Sequence, residues 1–375
     1  FVQWRESHQP FHWFIEFYGI MKEGGFDVII GNPPYVEYGK IKNDYVLPIG
    51  IYKTESSRNL YAFVIERSYQ LAKNKGRFGM IVPISFVCTQ RMSILQDLIQ
   101  AETIHMWNSI YAERPSKLFS GAEVLLTISL LKFGIENDSK SFITGLRKWS
   151  RDERDNLFAT TTYCKMDKKI RSYVFPKVSD ELENKIISKL WRGNRRIGHC
   201  FCKPSEHVIY YRIGGGRYWK IFTTFQPQFK LNGKESVSSR ENYLYFRTQS
   251  HRDITLAVFS STLFYWYFLL TTNGRDLNPS DLSEFPIDLE NIDFSIRNRM
   301  SQLVTKLMQN YKQNKLVKEK TSKLTGLIEY EEFYPRKAKH IIDEIDDALA
   351  EHYCFNEAER YFIINYDIKY RMGLG

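Results

Sequence analysis

Over the first 150 residues, short apolar runs alternate with stretches whose apolar residues recur at helical spacing. FDVIIG (Phe26 to Gly31) holds the continuous run Val28-Ile29-Ile30, which predicts a parallel strand buried on both faces. It runs directly into Asn32-Pro33-Pro34-Tyr35. Leu60, Phe63, Val64 and Leu71 then repeat at helical intervals behind Asn59, a candidate N-cap, and Gly76 breaks the pattern. Phe78 to Val87 predicts a second strand, Arg91 to Gln100 a helix, Ile104 to Ile110 a strand and Glu123 to Phe133 another. A polar loop, Arg114 to Gly121, precedes the last of these. Strands alternating with helices imply an α/β fold with a mostly parallel, doubly wound sheet.

The pattern changes at Lys148 to Arg171, which is polar and charged and marks a domain boundary near residue 150. Residues 172–290 are rich in Tyr, Phe, Arg and Gly with short strand signals, as in HVIYYRIGGGRYWKIF. Gly214-Gly215-Gly216 reads as a hairpin turn, with Arg217-Tyr218-Trp219 continuing as strand rather than opening a helix. From residue 291 the tail is helical. Arg297 to Lys323 is amphipathic and basic, Ile341, Ile342, Ile345 and Leu349 recur at helical spacing, and Asn356 with Glu359 has capping-box spacing. The expected domains are therefore 1–150, 151–290 and 291–375.

Composition narrows the class. With 43% hydrophobic and 26% charged residues, the 375-residue chain is globular, long enough for two or three cores. A net charge of +10 with 24 Tyr and 26 Phe suits a polyanion with stackable bases, although modest positive charge also occurs in ordinary enzymes. Leu256 to Leu270 is too short and too interrupted to span a bilayer, so no membrane partner is expected. Five scattered cysteines fit a reducing, cytoplasmic setting. His199, Cys200, Cys202 and His207 lie close together, but Cys-x-Cys lacks the usual zinc-knuckle spacer. They read as buried cysteines on a strand, with no metal.

The candidate chemistry sits at the end of the first strand. Pro33 and Pro34 fix φ and remove two amide donors, so neighbouring carbonyls face outward without a ladder. Carboxyl ends of strands are where open α/β sheets bind ligands. Asn-Pro-Pro-Tyr after a buried strand resembles the catalytic motif of S-adenosylmethionine-dependent DNA adenine-N6 methyltransferases, in particular the type IIG, Eco57I-like and TaqI-like restriction–modification enzymes. The resemblance extends from PFHWFIEF (Pro10 to Phe17) through Leu60-Tyr61 opening a helix, Gly76 to Pro83 as a GxxxxIxP strand, and Phe119 in a loop before the last hairpin. LAVFSSTLFYWYFLLTTNGRDLNPSDLSEFPI, from Leu256, resembles a TaqI-like target-recognition domain, and the tail resembles the C-terminal end of type IIG enzymes.

The resemblance implies the second half of a Rossmann-like methyltransferase sheet, followed by an α+β target-recognition domain and a helical tail. It implies that the Asn32 side-chain carbonyl and the Pro33 carbonyl accept hydrogen bonds from an adenine amino group, freeing its lone pair for in-line attack on the donor methyl. Pro34 completes the turn. Positioning and electrostatics would carry much of the acceleration, without a strong general base. The target adenine of double-stranded DNA would be flipped out and stacked between Tyr35 and Phe119. Lys40, Lys42, Lys53, Arg195, Arg196, Arg217, Lys220, Arg240, Arg247 and Arg275 are candidate DNA contacts, mostly to phosphate.

The family's Gly-rich donor turn, FxGxG, does not occur before residue 26. The chain is thus expected to be the C-terminal part of a larger polypeptide whose upstream part binds S-adenosylmethionine and is the place of any nuclease domain. Rival readings are a non-catalytic DNA-recognition module, or methylation of an RNA base or a protein glutamine nitrogen. The long basic, aromatic region after the catalytic half disfavours the last.

Overall fold

A computed structural model describes residues 2–3, 6, 11–41, 50–121, 123–135, 139–216, 218–323 and 325–373. The chain forms two compact units, Phe1–Asp180 and Glu181–Gly375. Residues 151–180 thus pack with the first unit, and 291–375 share the second with the residues from 181 onward.

In unit 1 the elements are β1 (Phe26–Gly31), α1 (Leu60–Leu71), β2 (Ala72–Pro83), α2 (Ser93–Ala101), β3 (Thr103–Tyr111), β4 (Leu126–Phe133), β5 (Lys140–Arg147) and β6 (Cys164–Lys165). They build a six-stranded sheet of order β1-β2-β4-β3-β5-β6. The sheet is mixed rather than mostly parallel. β1 lies parallel to β2 and β3 to β5, but β4 runs antiparallel to both strands that flank it, and β6 antiparallel to β5. The loop before β4 returns the chain between β2 and β3 in the reverse direction, which alternation of strand and helix signals does not reveal.

One face of this sheet is covered. Phe78, Met80, Val82, Leu131 and Phe133 are buried together with Tyr61, Ala62 and Ile65 of α1 and Leu95 and Ile99 of α2. Tyr69 of α1 reaches Phe133 edge-on, at 5.8 Å between ring centroids. The opposite face differs. Ile30, Gly79, Leu130, Trp107 and Phe142 form one cross-strand row, and Ile30 is 82% and Leu130 43% exposed. Val28 is 62% exposed. The expectation that β1 is buried on both faces is therefore corrected: it is an edge strand, hydrogen-bonded only to β2 among the described residues, with one apolar face open.

In unit 2, α3 (Glu181–Leu190) precedes β7 (His207–Arg212), β8 (Phe222–Thr223), β9 (Phe229–Leu231), β10 (Lys234–Glu235) and β11 (Glu241–Phe246). Helices α4 (Gln249–Ser260), α5 (Thr262–Thr271) and α6 (Phe294–Asn314) follow. The chain then forms β12 (Leu316–Ser322), β13 (Gly326–Glu332), α7 (Lys339–His352) and α8 (Glu357–Asn365). Two antiparallel sheets result, β11-β7-β8 and β10-β9-β13-β12. The basic helix expected over Arg297–Lys323 ends at Asn314, and Leu316 onward is a strand. The cause is tertiary: β13 pairs on one side with β12 and on the other with β9, and Gly326 takes the positive φ the turn requires. Gly215 and Gly216 also have positive φ between the antiparallel strands β7 and β8. The second strand starts only at Phe222, however, so Tyr218 and Trp219 do not belong to it, and Arg217 lies outside the described residues. The Asn356–Glu359 capping box forms as expected, with reciprocal bonds of 2.8 and 2.9 Å.

Every residue of α5 is buried. No single described helix is long and apolar enough to cross a membrane; α4 and α5 pass such a test only as a pair, and they are bent by 69°. The amino end of α5 is held by a buried carboxylate. Asp346 of α7 accepts from the amides of Thr262 (3.1 Å) and Leu263 (3.0 Å), and Ser261 caps Phe264. Burial outweighs these bonds and pushes the Asp346 carboxyl up to about 6.

Because this folded-state value lies above that of an unfolded aspartate, the native state binds more protons between the two. Asp346 stabilises most below the unfolded value, and that contribution falls away as pH rises through about 6. Relative to Asp346→Asn, the wild type should lose on the order of 2–3 kcal/mol of unfolding free energy between pH 4 and pH 7. Denaturant titrations of both proteins across that range measure it; a pH-independent difference would refute the assignment.

Candidate active site at the end of the first strand

The chain leaves β1 at Gly31 and turns through Asn32, exposed, Pro33, buried, and Pro34, exposed, to Tyr35, which is half-buried. The two prolines offer no amide hydrogen, so a side chain closes the turn. The Tyr35 hydroxyl lies 2.7 Å from Asn32 Oδ1 and 2.9 Å from the Ile81 carbonyl of β2, with its one proton shared between them. Burial pushes this phenol up to about 12, so it stays a donor at any ordinary pH. An amide oxygen carries two lone pairs. Tyr35 engages one and fixes the orientation of the amide, leaving the second for a ligand.

The Tyr35 ring packs against a cluster of Tyr111, Leu118, Leu126, Trp149 and Leu157. Leu118 brings the 114–121 loop to the same end of the sheet, next to Phe119, which is 38% exposed. Arg154 holds that loop from behind. Its guanidinium donates to the carbonyls of Lys117 (3.3 Å) and Leu118 (3.1 Å) and lies over the Trp149 ring. The structure thus gathers Asn32, Pro33, Pro34, Tyr35 and the Phe119 loop at one sheet end. Tyr35, expected only as a stacking ring, is also partly a packing residue.

A second residue, not singled out by the sequence pattern, organises the segment that follows. Glu66 of α1 is buried and accepts from the amides of Lys53 (2.9 Å) and Thr54 (3.0 Å) and from the Thr54 hydroxyl (2.7 Å). Its signal is a carboxylate three residues after Phe63 on the apolar side of α1. The adjoining strap is tied by Tyr38 to Arg58 and by Leu60 to Val36. Asn59 stands at the N-cap position of α1 but makes no side-chain capping bond. Tyr61, buried, bonds Ser85 at 2.7 Å.

The candidate cations separate by environment. Lys40 and Lys53 are exposed in unit 1, and Lys42 lies outside the described residues. In unit 2, Arg195, Arg240, Arg247 and Arg275 are exposed, while Arg217 lies outside the described residues. Arg196 stacks on Trp191 at 4.1 Å and donates to the carbonyls of Gly193 and Arg195. Lys220 is not a surface contact. It is buried over Phe268 and donates to the Gly215 and Arg275 carbonyls, and desolvation lowers it to about 8.

Residues 2–114, which include this turn, match the family described as Eco57I restriction-modification methylase. A Methanocaldococcus jannaschii protein named as a type II restriction enzyme and methyltransferase is 33% identical over 180 residues. That match covers 46% of this chain and 14% of the relative, so the chain spans only a small part of the relative's length. The type IIL restriction-modification enzyme MmeI, solved in complex with DNA, shares the fold at a TM-score of 0.51 and 11% identity, over 97% of this chain and 59% of MmeI. The type IIG restriction endonuclease BpuSI aligns at a TM-score of 0.29 and 11% identity, over 94% of this chain and 54% of BpuSI.

In unit 1, Glu66→Ala would leave buried donors of the 53–54 turn unpaired. The expected cost is about 2–4 kcal/mol, with new protease cleavage in residues 50–58. Calorimetry and limited digestion check this, and an unchanged melting temperature with an intact loop would show that Glu66 does not anchor the turn.

Proposed function

We propose that unit 1 supplies the acceptor half of a DNA adenine-N6 methyltransferase, and that the chain is the C-terminal part of a larger type IIG-like restriction–modification enzyme. The observation that carries this reading is the exposed Asn32 amide at the carboxyl end of β1, oriented by Tyr35 with a lone pair to spare. The amino group of adenine is a poor nucleophile because its lone pair is delocalised into the ring. Asn32 Oδ1 and the Pro33 carbonyl accept its two protons and draw the nitrogen toward tetrahedral geometry. Tyr35, protonated throughout, steadies the amide and is no base.

The adenine reaches this turn only after leaving the duplex stack. Stacking on an aromatic ring is worth about 1–3 kcal/mol, comparable with the unstacking cost, so Tyr35 and the partly exposed Phe119 are suited to hold it. Lys40 and Lys53 in unit 1 and Arg195, Arg240, Arg247 and Arg275 in unit 2 would meet phosphates, with unit 2 as the target-recognition part.

S-adenosylmethionine is the methyl donor the family implies, and on this reading its Gly-rich turn belongs to another part of the parent. The glycine loop at 214–216 leads into an antiparallel strand instead of a helix, and among the described residues β1 pairs only with β2, leaving an edge where a donor-binding strand would pair. The chain alone is therefore read as a DNA binder that is catalytically incomplete.

In the complete parent enzyme, Asn32→Ala should abolish N6-methyladenine while duplex affinity stays within about twofold; persistent methylation would remove Asn32 from the role. Tyr35→Ala and Phe119→Ala should lose less activity on a mismatched adenine than on a paired one, and equal losses would refute stacking. Calorimetry of this chain with S-adenosylhomocysteine should give no measurable heat of binding, whereas micromolar affinity would place the donor site here after all.

A further inference from the structure

Three segments of unit 2 that are remote in sequence bring one metal-ligating side chain each to a single point. Cys200 ends the short turn Ile197–Cys200, His251 lies in the first turn of α4, and Glu290 lies in the turn Leu289–Asn291. A ligand atom of each lies within 4.8 Å of the other two, and His251 Nε2 is 3.3 Å from Glu290 Oε1. Cys200 and His251 are half-buried and Glu290 is exposed. The cysteine is not on a strand, as the sequence suggested, because a 3-10 turn intervenes between Arg196 and Phe201. Nor does it meet its sequence neighbours: the His199 Nδ1 accepts from the Arg196 amide, and the Cys202 thiol turns to the Lys203 carbonyl.

The backbones beneath the three side chains are pinned independently of any ligand. Thr248 caps α4 by accepting from the His251 amide at 3.2 Å. The Glu290 amide donates to Asp288 Oδ1 at 3.1 Å, and Arg297 donates to the Leu289 carbonyl at 2.7 Å. The Ile197 amide donates to the Phe285 carbonyl at 2.9 Å.

We propose that Cys200, His251 and Glu290 form a three-ligand site for a borderline-soft divalent cation, zinc first among them. A thiolate in the set disfavours magnesium and calcium, while thiolate, imidazole and carboxylate together are the ligand types of zinc. Bond lengths of about 2.0–2.3 Å place tetrahedral ligand atoms roughly 3.3–3.8 Å apart. The trio therefore closes onto a cation by a shift of about 1 Å, which the exposed Glu290 side chain can supply. The surroundings agree in sign: burial, Glu290 and Asp288 hold the Cys200 thiol above its ordinary range, whereas Arg195 and Arg247 act in the opposite sense. A cation displaces the thiol proton and relieves the crowding of negative charge. With three protein ligands, a fourth position stays open to water. The site would staple the 197–200 turn, α4 and the 289–291 turn of unit 2, and it stands independently of the methyltransferase reading of unit 1.

The test uses the full chain stripped with a chelator, then titrated with zinc against a chromophoric competitor and with cobalt followed by absorption. One metal per chain is expected, with a thiolate-to-cobalt charge-transfer band. Cys200→Ser should abolish that band, and Cys200→Ser and His251→Ala should each weaken zinc binding by at least about tenfold. Cys202→Ser and Cys354→Ser should leave binding unchanged. On the unsubstituted chain, zinc should raise the melting temperature and protect Cys200 from alkylation, a readout that survives if a variant fails to fold. No charge-transfer band, equal binding by Cys200→Ser, or alkylation of Cys200 unaffected by zinc would each overturn the proposal and leave only a His251–Glu290 contact beside a thiol.

Discussion

A turn built on two consecutive prolines cannot hold itself together with its own amides, and in this chain a single phenol does it instead. The Tyr35 hydroxyl spans Asn32 Oδ1 and the Ile81 carbonyl, tying the end of β1 to its neighbour β2. Because the ring is also packed into the Tyr111–Leu126–Trp149 cluster, the position of the amide is set by the core rather than by the loop. This is the arrangement a site needs when its task is to present a carbonyl oxygen at a fixed point, since geometry held by packing is more exact than geometry held by a mobile segment. The same cluster takes Leu118, so the loop bearing Phe119 is referenced to the same core. Tyr35 thus serves packing and orientation at once, and its neutral state is secured by the burial that positions it.

Much of unit 1 was legible because its elements announce themselves locally. The periodicity of Leu60, Phe63 and Leu71 locates α1, but the helix ends at Leu71 and Gly76 lies inside β2; the run through Met80 and Val82 locates β2, which starts at Ala72 and ends at Pro83, before a helical turn at Ser85–Cys88; the strand–turn junction falls at Gly31–Asn32 as expected. What could not be read was anything decided by partners. Val28 and Ile30 are as apolar as a central strand demands, yet whether a strand is central depends on what lies beside it. The direction of β4 depends on how the preceding loop returns. The exchange of helix for strand after Asn314 has the same origin: Leu316, Val317 and the lysines that follow fit either a basic helix or a strand, and pairing of β13 with β9 decides between them.

The site residues divide along the same line. Asn32, Pro33, Pro34 and Tyr35 form one short motif, so their proximity was guaranteed by sequence; Glu66, Arg154 and the Ile81 carbonyl act across distances in sequence that only the fold closes. Net charge likewise pointed to cations in general without sorting them. Lys220 looks like a surface lysine in a basic, aromatic stretch, but its ammonium is spent on two carbonyls and an aromatic face inside unit 2. Cys200 meets His251 and Glu290 for a related reason: these neighbours in space come from segments fifty and ninety residues away, where the sequence shows only His199 and His207 beside it.

The open side of β1 links the half-sheet to its chemistry. An edge that pairs on one side only among the described residues, with the exposed apolar Ile30 and Leu130 beside it, is unfavourable in water, because strand edges and apolar patches both recruit partners. Under the reading proposed above, the donor-binding part of the parent supplies that partner. A strand added along β1 would pair with the one strand whose end carries Asn32, so it would fix the height and twist of β1 as well as cover its face. The amide would then be brought into register with a donor by the same hydrogen bonds that complete the sheet. Binding of the donor half and precise aim of Asn32 become one event, and a chain without that half can hold its turn in shape through Tyr35 and yet have nothing to aim at.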